Sequence, residues 1–375
     1  MNLFAPNIEE GLALARRVGS KYSPVWQGLS PAEQAALAMY FLPHRSAKPV
    51  LGPTRPRVIK WYCPFADQAI FPSGHRYCVN VYTGCSHKCE YCYAAAYEPS
   101  QPGCKKDFER QLRRDLDDLD AFDVPPAPVH LSNSTDAFQP LEAKVGQTGV
   151  VLENLARHRH RFTTVTLLTK NPLLAAQPEY IKRLRALATL PDDHPRRRQF
   201  VDAKLPGLRV EVSLAFWRDQ ARAVFDPGAP TVGERLEGIR QLRGAGLPVV
   251  LRIDPLLPRG PLGSKAMADF GLPEPQTPED LDGLLGFAAD AGVMHVVYSV
   301  AKIARPRAGA LSHVMGKMLA AYRHLAGASG LEFRGGSWRL PRAIAQACVV
   351  EPFLNVCQRR GLTAKFCMQN LISTP

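Results

Sequence analysis

Cys85, Cys89 and Cys92 lie in the run Cys85-Ser-His-Lys-Cys89-Glu-Tyr91-Cys92-Tyr93, spaced Cys-x3-Cys-x2-Cys. Three thiolates this close together fill three corners of a four-iron four-sulfur cluster and leave one iron without a protein ligand. An open iron is a place for a reactive ligand, much as a catalytic zinc keeps an open position. A structural zinc is the competing reading. Zinc takes two close pairs or four ligands, and no such complete set stands in this stretch. The third reading is three incidental core thiols, an ordinary fate for cysteine.

The elements around the loop say where that chemistry would sit. An alternating apolar run, Cys78–Gly84, reads as the strand that delivers it. Further strands are expected over Pro128–Ser132, Thr164–Thr169, Leu208–Leu214, Pro248–Asp254 and Met294–Val300, with helical patterns over 108–121, 146–159, 173–188, 232–245 and 278–291. Thr277-Pro278-Glu-Asp280 caps the last helix, with proline at its first position. Six strands joined by five helices predict an α/β fold, a partial (β/α)6 barrel with its active site at the strands' C-terminal ends. Six strands leave a lateral opening, wide enough for a substrate larger than a metabolite. A doubly wound sheet is the alternative topology.

Loops that follow strands belong to the active face. The segment 255–276 and the run Ala301-Lys-Ile-Ala-Arg-Pro-Arg307 are such loops, and their basic residues are where a phosphate-bearing substrate would touch. Arg157-His-Arg-His-Arg161 precedes a strand and reads as a solvated helix end away from the chemistry. The insertion 191–206, with Arg196, Arg197 and Arg198, also precedes one. The chain therefore divides into a helical N-terminal segment and linker over 1–57, a core over 58–310 and a C-terminal extension over 311–375 with a strand near Leu331–Arg334. Cys348, Cys357 and Cys367 in that extension are candidates for an auxiliary cluster, against the plainer reading of buried free thiols. Cys63 and His75 read as packing or surface residues.

Composition sets bounds. The chain has 375 residues, 46% of them apolar, enough for one large α/β domain with appendages. No run of eighteen apolar residues predicts a membrane span, and the N-terminus lacks a signal-peptide pattern. Nine cysteines, an odd number in a long chain, favour reduced thiols and a metal site, hence a cytoplasmic setting. The net charge of +13 suits nucleic acid or another polyanion, and equally an arginine-rich surface.

The cysteine spacing, with an aromatic after the third cysteine, resembles the radical S-adenosylmethionine superfamily. The run Tyr82-Thr-Gly-Cys85-Ser-His-Lys-Cys89-Glu-Tyr91-Cys92-Tyr93-Ala looks like the spore photoproduct lyase branch, often labelled DNA repair photolyase-like. Five more stretches match in order: His130-Leu-Ser-Asn133-Ser-Thr-Asp136-Ala-Phe-Gln-Pro140-Leu-Glu142, Leu168-Thr169-Lys170, Val212-Ser213-Leu214, Pro230-Thr-Val-Gly-Glu234-Arg235-Leu236 and Val250-Leu-Arg252-Ile-Asp254-Pro255. The likeness runs from about residue 58 to 303. It implies that Cys85, Cys89 and Cys92 hold a [4Fe-4S] cluster and that S-adenosylmethionine binds the open iron. Tyr91, Thr135, Lys170, Ser213 and Asp136 are then cofactor contacts, Asp136 taking the cofactor's amine or a backbone amide. Turn and cap chemistry is the plain alternative for the Ser-Thr-Asp run. Tyr93 is implied near the radical path. One departure stands out: Asn133 occupies the position at which the lyase carries a hydrogen-donating cysteine. Cys104 or a C-terminal cysteine is the candidate substitute.

The expected function is a radical enzyme: an external one-electron donor such as flavodoxin or ferredoxin reduces the cluster, and the cleaved cofactor abstracts hydrogen from a substrate. A damaged nucleobase in DNA, a peptide and a small metabolite are the substrate classes. The competing class is a non-catalytic metal protein that binds nucleic acid through its basic loops.

Overall fold

The structure, a computed structural model, describes residues 58–59, 77–96, 101–121, 126, 128–190, 192, 207–258, 266–306 and 309–367. The segment 1–57, Cys63, His75, Arg196, Arg197, Arg198 and Arg307 lie outside the described residues. In chain order, β1 (Tyr77–Val79) leads to a short pair, β2 (Tyr82–Thr83) and β3 (Gly103–Cys104), on either side of the cysteine loop. Then come α1 (Phe108–Ala121), β4 (Val129–Leu131), α2 (Glu142–Val145), α3 (Gln147–Arg157), β5 (Val165–Thr169), α4 (Pro172–Ala175) and α5 (Pro178–Ala188). The alternation continues with β6 (Leu208–Ser213), α6 (Asp219–Phe225), α7 (Val232–Gly244), β7 (Val249–Leu256), α8 (Pro278–Asp290) and β8 (His295–Val300). The remainder includes β9 (Ile303–Ala304), α9 (His313–Ala326), β10 (Glu332–Arg334), β11 (Ser337–Arg339), α10 (Glu351–Arg359) and β12 (Thr363–Phe366).

One parallel sheet runs β1-β4-β5-β6-β7-β8-β12. Its spatial order follows chain order with no reversal, whereas a doubly wound sheet reverses at a switch point. The sheet is the expected open barrel, with one strand more than the six predicted. That strand is β12, from the C-terminal extension, which pairs with β8 through Thr363↔His295 and Phe366↔Tyr298. Four residues, two of them polar, carry too little periodicity to be read as a core strand. They are a strand because β8 offers an unpaired edge.

Strand side chains alternate as the pleat requires. Val210 and Val212 of β6 and Leu251 and Ile253 of β7 are buried in the hydrophobic core. Their neighbours Glu211 and Arg252 form an ion pair across the same two strands, Nη1 to Oε2 at 2.6 Å. Helix ends follow the expected chemistry. Thr277 and Asp280 close a capping box on α8 with Pro278 in the first turn, and Thr231 and Glu234 do the same for α7.

The run Arg157–Arg161 sits before β5, as expected, but it is not a solvated helix end. Arg159 and Arg161 are buried. The Arg159 guanidinium donates to the carbonyls of Leu187 at 2.8 Å and Gly207 at 3.1 Å, and also to that of Phe162. Burial pushes its pKa down to about 10. Arg161, His158 and His160 converge on Asp120 of α1. These side chains tie α1, α5 and the entry to β6 together, because orphan carbonyls at element ends need donors.

Candidate active site

The cysteine loop leaves β2 through Gly84, whose φ of +64° an L side chain rarely adopts. Two segments then hold it from either side. After β4, Gln139 accepts from the Ser86 amide at 3.0 Å and donates to the Gly84 carbonyl at 3.2 Å. After α6, the Phe225 carbonyl accepts from the Glu90 amide at 2.9 Å and the Gly228 amide donates to the His87 carbonyl at 2.9 Å. Gly228 has to be glycine: a Cβ there would lie 2.2 Å from the Ser86 carbonyl oxygen. His87 bridges both segments, with Nδ1 3.1 Å from the Gly228 carbonyl oxygen and Nε2 3.0 Å from Asp136 Oδ2. A carbonyl can only accept, so Nδ1 carries a proton.

Asp136 is the junction of this scaffold. It accepts from the amides of Phe138 at 2.8 Å and Lys170 at 2.6 Å and from the Thr169 hydroxyl at 2.7 Å, besides His87. Burial alone would raise its pKa, but His87 and the other donors hold it below the usual carboxylate range. Of the two roles expected of Asp136, the structure displays the backbone-amide one. Glu142, from the same matched stretch, is likewise occupied: it accepts from the Tyr82 and Tyr180 hydroxyls and from the amides of Thr148 and Gly149 at the start of α3.

Cys85, Cys89 and Cys92 line one cavity of about 620 Å³, together with Ser132, Thr135, Lys170 and Ser213 at the ends of β4, β5 and β6. Burial pushes the Cys85 thiol up to about 12 and the Cys89 thiol well above its ordinary value. Among the described residues, no three His, Cys, Asp or Glu side chains are gathered to hold a metal ion. Soft thiols spread around a cavity suit an iron–sulfur cluster. The wall beside them also holds donors in want of acceptors. Ser132 Oγ and Thr135 Oγ1 are buried and have no hydrogen-bond partner among the described residues. Ser132 also has a φ of +63°, the left-handed region, and such strain persists where the surroundings over-determine it, as binding sites do. Buried orphan hydroxyls in a cavity wall fit a polar cofactor.

Lys170 Nζ donates to Tyr91 Oη at 2.9 Å, Ser213 Oγ at 3.1 Å and Asp226 Oδ2 at 3.0 Å. Asp226 is fully buried and also faces Arg235, at 3.3 Å, and the Tyr91 hydroxyl. Burial pushes the Asp226 carboxyl up, but Lys170 and Arg235 outweigh it and hold it well below its ordinary value. Sequence reasoning missed Asp226, which stands alone in Phe-Asp-Pro-Gly.

Tyr93 and Asn133 join the same cavity, while the remaining expected cysteines lie outside its lining. Tyr93 lines the cavity and donates to the Asn133 carbonyl at 2.6 Å. Asn133 Nδ2 donates to Cys78 Sγ at 3.2 Å, so a thiol lies beside Asn133. Cys104 is exposed on β3 and is not among the cavity-lining residues. The three C-terminal cysteines have separate settings. Cys357 is buried on α10, Cys348 packs against the core, and Cys367 accepts from the Arg252 guanidinium at the end of β12.

No protein-family model matches the chain. An uncharacterized protein of Mycobacterium tuberculosis is 28% identical over 229 residues, 59% of this chain and 57% of that protein. An uncharacterized protein of Methanocaldococcus jannaschii is 20% identical over 185 residues, 49% of this chain and 62% of the other. The chain thus matches somewhat over half the length of these relatives. Among solved structures, a mutant of spore photoproduct lyase superposes with a TM-score of 0.54 at 11% identity, covering 86% of this chain and 88% of that one. The lyase complexed with dinucleoside spore photoproduct gives 0.51 at 12% identity over the same shares. A further lyase mutant, with bound AdoMet and that dinucleoside, gives 0.52 at 13%. At these identities the likeness is one of fold: the chain has the open-barrel fold of spore photoproduct lyase, the fold expected of the radical S-adenosylmethionine superfamily from its cysteine loop.

Proposed function

We propose that the chain is a radical S-adenosylmethionine enzyme acting on a phosphate-bearing substrate, lesion-bearing DNA being the first to test. The observation that carries this reading is the shared cavity, in which three loop thiols and two unpartnered hydroxyls meet at the strand ends. Cys85, Cys89 and Cys92 would hold the cluster. Ser132, Thr135 and Ser213 would bind the cofactor's amine, carboxylate or ribose hydroxyls. Bound there, the cluster and cofactor would supply one-electron cleavage chemistry, the source of a radical able to remove hydrogen from an unreactive carbon.

The chain's own part is placement. Asp136 and Gln139 hold the loop, and Asp226 holds Lys170. The three protons of the Lys170 ammonium are committed to Tyr91, Ser213 and Asp226. It therefore acts on a cofactor carboxylate through its charge and through Ser213, whose hydroxyl proton is free to turn outward. Tyr93 walls the cavity next to Asn133. With an amide in place of a thiol at Asn133, the lyase's own hydrogen return is not assigned to this chain. A flavodoxin- or ferredoxin-like protein is the proposed electron donor.

The test is anaerobic reconstitution with iron and sulfide, then dithionite and S-adenosylmethionine, with and without a lesion-bearing oligonucleotide. Wild type is expected to form 5′-deoxyadenosine and Cys89→Ala to form none. A fully loaded wild type that forms none in either arm would overturn the reading, and stoichiometric zinc in its place would point to a binding protein. Turnover indifferent to the oligonucleotide would move the substrate to a peptide or metabolite.

A further inference from the structure

We infer that Lys302, which lines the cavity, and Arg339, beside it in the strand register, form a phosphate subsite, a deepening that rests on the proposed function. Lys302 lines the cavity, with Nζ 5.5 Å from the centre of the Tyr93 ring. The small antiparallel sheet β10-β11-β9 explains its neighbour. Ser337 pairs with Ala304 and Trp338 with Ile303, so the next step in that register sets Arg339 opposite Lys302. Directly opposed residues of an antiparallel pair point to the same face, and like charges so placed repel.

Neither cation has an ion-pair partner among the described residues. Two acids, Asp254 and Glu332, are near these cations. Asp254 accepts from Arg252 at 2.9 Å and from the Ser299 hydroxyl. Glu332 of β10 stands directly opposite Arg339 in the register, exposed and with no ion pair among the described residues. Arg334 adds further positive charge on the same side, two residues along β10 from Glu332. Arg339 Nε is buried without an acceptor. Burial and the Arg339 charge push Lys302 below its ordinary value, and burial with the Arg334 charge does the same to Arg339 against the opposing pull of Glu332. A desolvated ammonium facing a guanidinium with an unused donor is costly until an anion arrives. A phosphate oxygen satisfies both at once, and an ester-linked substrate held there would keep the rest of itself within the cavity that Cys85, Cys89 and Cys92 line.

Equilibrium dialysis of the full chain against radiolabelled inorganic phosphate tests this, since it needs neither S-adenosylmethionine nor reductant. A protein that binds phosphate yet never forms 5′-deoxyadenosine would lose the cofactor reading and keep the subsite. Lys302→Gln and Arg339→Gln are each expected to raise Kd about tenfold, and the double variant by less than the product, because both touch one ligand. Lys302→Arg should stay near wild type, and Arg113→Gln, an exposed cation elsewhere, should change nothing. Circular dichroism melts identify any variant that fails to fold, and the Lys302→Arg against Lys302→Gln contrast then decides. Unchanged Kd in both single variants, equal weakening by Arg113→Gln, no phosphate binding by wild type, or acetate displacing phosphate at equal concentration would each overturn the assignment.

Discussion

Lys170 and Asp226 stand 56 residues apart in sequence and 3.0 Å apart in space, a buried ion pair joining the end of β5 to the turn after α6. Through Tyr91, which contacts both, the pair also grips the cysteine loop. Asp226→Asn leaves Lys170 and Arg235 buried without their counter-charge, which should destabilise the fold by about 3–5 kcal/mol. Lys170→Met should cost less in the Asp226→Asn background than in wild type. Urea unfolding of the four proteins measures both.

Gly228→Ala should act on the loop rather than on the core. Its Cβ would meet the Ser86 and His87 carbonyls, which are backbone atoms and cannot turn aside. Overpacking of this kind costs about 1–3 kcal/mol, and here it is spent displacing the loop. Iron and sulfide bound per chain after reconstitution should fall, while the circular dichroism spectrum stays that of wild type.

Thr135→Val should separate stability from binding. The Thr135 hydroxyl is buried with no partner, so an isosteric methyl removes a desolvation penalty and should stabilise the protein by about 1 kcal/mol. The same change should weaken S-adenosylmethionine by about tenfold if the hydroxyl bonds the cofactor. A thermal melt and equilibrium dialysis with labelled cofactor check the two halves.

Glu211 gives a pH signature. Burial pushes its carboxyl up, but Arg252, His130 and Arg209 outweigh that and hold it well below the ordinary carboxylate value. A folded pKa below the unfolded one means stability that is present above the unfolded pKa and is lost as pH falls toward the folded one. Glu211→Gln should therefore be less stable than wild type by about 3 kcal/mol at pH 7. The gap should narrow as pH drops below about 4, where the unfolded carboxyl takes up its proton. Unfolding free energies measured at pH 7 and at several pH values below about 4 would show whether it does.

The reach of the sequence ended where contacts stopped being local. Cys85, Cys89 and Cys92 were legible because a loop presents close neighbours together whatever the rest of the chain does. The strands and helices of the barrel were legible because alternation and 3.6-residue periodicity are local, and the Thr277–Asp280 cap because a capping box spans four residues. Arg159 misled because charge in a polar run looks solvated, and only packing of α5 and β6 brings carbonyls around it. The seventh strand needed β8 to template it. Asp226 gained its meaning from Lys170, and Arg339 from Lys302, by pairings that close loops of tens of residues. Local chemistry selects the loop and the elements that carry it. Their long-range packing alone determines which buried charges are balanced, which hydroxyls are left over for a ligand, and therefore where one can bind.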